Sequence, residues 1–129
     1  MKIVLAGLFS ITIAFFGDRL LTFLKIPEPV RVGLLVPVVE ELVKIYIALL
    51  LQLSPLYVSS IFGLGEGIIE VICSQNEPKP VLFWAAFLLH TILGLIYLSP
   101  LLLTFKISIA IIGHVLWNQG ILYRNKSVK

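Results

Sequence analysis

Two adjacent carboxylates and a lysine, Glu40, Glu41 and Lys44, sit near the middle of an apolar run from Val32 to Leu53. That run is long enough to cross a bilayer as a helix. Each charge at such depth costs about 2.5–3.5 kcal/mol on insertion scales, so polar groups there face a protein interior or a water-filled cavity. Helical spacing makes Glu40 and Lys44 i,i+4 and Glu41 and Lys44 i,i+3, so the three share one face. One reading is a lock in which Lys44 neutralises the carboxylates. Burying two carboxylates for one lysine makes a pure lock unattractive, and other polar residues at mid-depth must also be explained.

The rest of the chain repeats the pattern. It has 129 residues, of which 13% are charged, and a mean hydropathy of +1.05. A soluble domain of this size needs far more polar surface. The expectation is an integral membrane protein with a single embedded domain, 1–129. The formal charge of +3 comes from lysines and arginines placed between apolar runs, which is a topology signal and not a nucleic-acid footprint. The lone Cys73 excludes an intramolecular disulfide and a cysteine metal cluster. It reads as a small apolar filler near a helix end.

Apolar runs broken by prolines predict an all-α, polytopic transmembrane bundle of about five spans, over 3–24, 30–53, 55–73, 81–98 and 104–123. The first follows Lys2 and has no convincing cleavage site before Asp18-Arg19, so it reads as an uncleaved span. Asp18 and Arg19 read as an interfacial pair. Pro37 should kink the second span. Gly63, Gly65 and Gly67 thin the third and admit a close neighbour. Ser74–Pro80 is a polar loop, and Tyr97, Trp117 and Tyr123 suit the interfaces. Five spans place Arg19, Lys25, Arg31, Lys79, Arg124, Lys126 and Lys129 on one side, against Lys2 and Lys106 on the other. The positive-inside bias then makes the C-terminus cytoplasmic.

Glu40 and Glu41, Glu66, His90, and His114 with Asn118 each lie near the middle of their own span. Antiparallel neighbours bring them to one depth, and intramembrane ionisable groups are functional-site hypotheses by default. Glu70, i,i+4 from Glu66, reads as structural or cavity-lining. No Gly-x-Ser-x-Gly or His-Glu-x-x-His is present. Carboxylate and imidazole remain. A positioned carboxylate can take a proton from water, and histidine and asparagine N–H groups can stabilise an oxyanion. The same set can instead hold a divalent metal such as zinc, through Glu66, His90 and His114, with bound water as nucleophile. It can also relay protons in a transporter or channel, although no inverted repeat is evident.

Four short motifs occur in order on four successive spans: Glu40-Glu41-Leu-Val-Lys44, Phe62-Gly-Leu-Gly-Glu66, His90 followed by Thr91 and Gly94, and His114-Val-Leu-Trp117-Asn118. Together they resemble PrsW-type intramembrane proteases of the CAAX-protease and bacteriocin-processing (CPBP, or Abi) superfamily. The resemblance implies a four-helix catalytic core preceded here by one extra helix. It implies an endopeptidase acting on membrane-anchored or prenylated peptide substrates, with no cofactor as the first expectation and a metal as the alternative. Glu40 would activate water, and Glu41 would support it or bind the substrate backbone. His114 and Asn118 would form the oxyanion site, and His90 and Glu66 would orient water. The superfamily also contains non-catalytic scaffold subunits, so a homo-oligomer or partner subunit belongs to that reading.

Overall fold

The computed structural model describes residues 1–73 and 80–127, and among these every regular element is helical. The elements are α1 (Lys2–Phe23), α2 (Glu28–Val30), a π-helical turn (Arg31–Leu35), α3 (Val36–Leu50), α4 (Pro55–Cys73), α5 (Pro80–Ile96) and α6 (Leu103–Ser127). From Glu28 to Leu50 the chain is one continuous rod. The second rod therefore starts before and ends earlier than the sequence suggests, and the last one runs past Tyr123. Ser74–Lys79, the Cys73 side chain and the side chains from Arg124 onward lie outside the described residues. So do the readings made for them.

Proline positions explain the breaks. The first two rods end the same way. Lys25 (φ 56°) and Gln52 (φ 54°) take left-handed backbone. Ile26 N–H reaches back to the Leu21 carbonyl at 3.2 Å, and Leu53 N–H to Ala48 at 2.8 Å. These are Schellman caps, and Pro27 and Pro55 follow where no helix can continue.

α3 is the central staff, packed against α1, α4 and α6. α4 packs most extensively on α5. Their approach depends on the absence of side chains at two positions one turn apart. A Cβ on Gly63 would lie 2.9 Å from the Ala86 carbonyl oxygen, and one on Gly67 would lie 2.8 Å from that of Phe83. Gly65 turns to the other side, against Ile11 of α1. The glycine cluster thus serves packing, as its spacing predicts.

The interior is built inside out. The largest fully buried side chains include Lys44, His90, His114 and Glu41, whereas Phe9, Phe16, Leu88, Leu116 and Trp117 are exposed. A charged centre inside an apolar shell is the reverse of a soluble domain. It is compatible with a bilayer, in which lipid covers the outer surface. Three helices, Lys2–Phe23, Pro55–Ile72 and Leu103–Tyr123, are long and apolar enough to cross one; Pro80–Ile96 is apolar but shorter.

Two expectations are corrected. Asp18 does not pair with Arg19. Neighbours at i,i+1 diverge on a helix, and Asp18 instead binds Arg31 of the π-helical turn. The Arg19 guanidinium lies 4.9 Å from the centroid of the Phe15 ring. Tyr97 does not face an interface. It is 8% exposed and packs with Ile45 and Ala110.

Candidate functional site

α3 supplies the centre of the site. Glu40, Glu41 and Lys44 all point inward, at 7%, 0% and 1% exposure. Lys44 Nζ donates to Glu41 Oε1 at 2.5 Å. It also reaches His90 Nδ1 on α5 at 2.9 Å, and it stands 4.7 Å from the Phe62 ring centroid of α4. Lys44 is therefore held from three helices and does more than neutralise its own helix's carboxylates. The His90 ring packs T-shaped against Phe62 at 5.0 Å and against His114 at 4.8 Å between centroids.

An ammonium has donors only, so His90 Nδ1 accepts and its Nε2–H is left to donate. Its partner is Glu66 Oε2 on α4. On the other side, His114 Nδ1–H donates to Glu41 Oε1 at 3.0 Å, which leaves the His114 Nε2 lone pair 3.5 Å from Glu40 Oε2. The polar groups thus form one chain: Glu66, His90, Lys44, Glu41, His114, and then a gap to Glu40. Glu40 Oε2 is buried and has no hydrogen-bond partner.

Both ends of the chain open on the same space. A cavity of about 310 Å³ is lined by Glu40, Glu66, Asn118, Asp18, Arg31 and apolar side chains of α1, α4 and α6. Glu70 also lines it, in agreement with its cavity-lining reading. Glu41 and Lys44 do not reach it. Of the residues picked from sequence, Glu40, Glu66 and Asn118 meet the cavity directly, while Glu41, His90 and His114 stand behind them. Glu41 accepts a hydrogen bond from His114 and does not line this cavity.

Asn118 has a partner that sequence reading missed. Its Nδ2 donates to the Val32 carbonyl at 3.0 Å. The adjacent Gln119 Nε2 donates to the Gly33 carbonyl at 3.2 Å. One of the two Asn118 N–H groups remains for the cavity. A signal for these contacts existed: Pro37 has no N–H to offer Gly33, four residues earlier, so that carbonyl needs an outside donor.

Glu40, His90 and His114 each offer a ligand atom within 4.8 Å of the others and can hold a metal ion. The sequence-based set named Glu66 in place of Glu40. The fit is incomplete as the side chains stand. Both nitrogens of His90 are engaged, by Lys44 and Glu66, and the inner nitrogen of His114 is engaged by Glu41. Only His114 Nε2 and Glu40 are open, where zinc sites use three or four protein ligands.

No protein-family profile, curated protein or solved structure matches this chain.

Proposed function

We propose that this chain is an intramembrane endopeptidase of the CPBP/PrsW-like kind, hydrolysing a membrane-associated peptide with water activated by Glu40. One observation carries the reading. A buried carboxylate with an unpartnered oxygen faces a cavity and is backed by an imidazole whose far nitrogen is already committed to a second carboxylate. The arrangement resembles the base–orienter pairing of hydrolases, in which a carboxylate fixes the histidine tautomer and stabilises its protonated form.

Glu40 takes a proton from a cavity water as the oxygen attacks the substrate carbonyl, forming the new C–O bond. His114 Nε2, 3.5 Å from Glu40, receives that proton, and Glu41 stabilises the imidazolium. Collapse of the tetrahedral intermediate breaks the C–N bond, and the proton goes to the leaving amine. The free N–H of Asn118, which lines the cavity, is the donor available to the oxyanion. Glu66, held from behind by His90, also lines the cavity and can order the water. A relay that returns to the cavity it began in suits chemistry at one place better than conduction across the bundle, which sets the transporter and channel reading second.

The membrane reading extends to five spans, with the cytoplasmic side at the end bearing Lys25 and Arg31. The fourth is short. Seventeen residues in α5 give about 25 Å of helix, near the lower limit for crossing. The test is cleavage of a panel of membrane-anchored peptides by purified protein in detergent, beside Glu40→Gln and His114→Ala, with and without a chelator. Hydrolysis lost in both variants and indifferent to chelator supports glutamate-activated water. Chelator sensitivity would move the nucleophile to a metal. Folded protein that cleaves nothing would favour a scaffold subunit.

A further inference from the structure

The rod from Glu28 to Leu50 contains one extra residue. Val36 N–H bonds to the Arg31 carbonyl, five residues back, where an α-helix would use Val32. Pro37 has no N–H, where an α-helix would use one to reach Gly33. Two carbonyls are therefore released, those of Val32 and Gly33. These are the two that Asn118 and Gln119 fill from α6. Gly33 is shaped for the approach: a Cβ there would lie 2.9 Å from Gln119 Cδ.

The extra residue has a geometric result. Arg31 and Glu40 are nine residues apart. In an uninterrupted α-helix, about 100° per residue would set them about 180° apart, on opposite faces. Here both line the same cavity. The wider turn brings Arg31, with its partner Asp18 on α1, round to the side of Glu40.

We infer that Gln119, together with Asn118, is a positioning residue: the two side-chain amides hold a one-residue register shift that sets Arg31 and Glu40 on one cavity. Its catalytic consequence rests on the protease reading, whereas the clamp itself does not. The shift puts the Arg31–Asp18 pair and the water-activating carboxylate in fixed relation, so that a peptide anchored near Arg31 meets Glu40 at a constant offset.

The test crosses Gln119→Leu with Pro37→Ala in the full chain. It is read by hydrogen exchange of the Arg31–Val39 segment and by kinetics. In the native background, Gln119→Leu should speed exchange there by about fivefold, the worth of one hydrogen bond. With Pro37→Ala the restored N–H can serve Gly33, so the same change should then alter exchange less than about twofold. Unchanged exchange in the native background, or an equal rise in both, would overturn the clamp. For activity, Gln119→Glu keeps the shape but opposes an acceptor to an acceptor. It should lower kcat about tenfold with KM within about twofold, because it moves the base and not the substrate surface. Restoration of kcat by Gln119→Lys, which returns a donor, would mark the effect as positional. Loss in KM alone, or full activity in Gln119→Glu, would overturn the positioning role. If the wild-type chain cleaves nothing, the protease reading fails, and exchange still decides the clamp.

Discussion

Lys44→Met keeps the length of the side chain and removes the ammonium on which the site closes. The side chain is 2% exposed, and Glu41 is fully buried. Without Lys44, Glu41 keeps only His114, at 3.0 Å, although its other oxygen already has no partner. His90 Nδ1 loses its donor at the same time. Removing one member of a buried ion pair costs about 3–5 kcal/mol, because the remaining charge stays desolvated. That is roughly two to four powers of ten in the folded-to-unfolded ratio. Glu41→Gln in the same chain removes the stranded charge, and a neutral pair of similar volume can match or exceed the parent. The double variant should therefore lie within about 1 kcal/mol of the parent and show strong coupling in a double-mutant cycle. The assay is reversible unfolding in mixed micelles with a denaturing detergent, followed by the fluorescence of Trp84 and Trp117. A single-variant loss below about 1 kcal/mol, or a double variant at the sum of the two singles, would refute a Lys44–Glu41 interaction that organises the interior.

Gly67→Ala should cost about 1–3 kcal/mol by overpacking against α5, whereas Gly120→Ala, with open space around it, should cost nothing measurable by the same unfolding assay. Gln52→Gly should stabilise by about 0.5–1 kcal/mol, since its left-handed backbone strains any residue with a Cβ, and a raised melting midpoint would check this. Arg31→Met should destabilise more than Arg19→Met, because Arg31 and not Arg19 holds the part-buried Asp18; equal midpoints would contradict the pairing.

The helices and the polar layer were legible because each rests on spacing along one chain segment. Apolar runs end at Pro27, Pro55 and Pro100, and one to three ionisable groups mark the middle of each later run. The α3 face carrying Glu40, Glu41 and Lys44 follows from i,i+3 and i,i+4 alone. What could not be read was which face of one helix meets which face of another. Sequence alone pairs Asp18 with its neighbour Arg19, because a partner thirteen residues on, beyond a turn, has no local signature. Residue type alone places Tyr97 at an interface, although its side chain is buried against Ile45 and Ala110. Pro37 announced a distortion but not its form. A kink and a π-helical turn both relieve a proline, and the choice depends on whether amides such as those of Asn118 and Gln119 are at hand to take the freed carbonyls.

The pairing of Glu41 with Lys44 lies within one helix, three residues apart. A segment entering the bilayer during synthesis can therefore carry both charges as a self-compensated unit before any other helix arrives. His90 and His114 come from later segments and, as neutral rings, can close on that pair without bringing further charge into lipid. On the proposed membrane reading, Glu41 and Lys44 can thus enter together, each with its counter-charge beside it, ahead of the two rings that close on them.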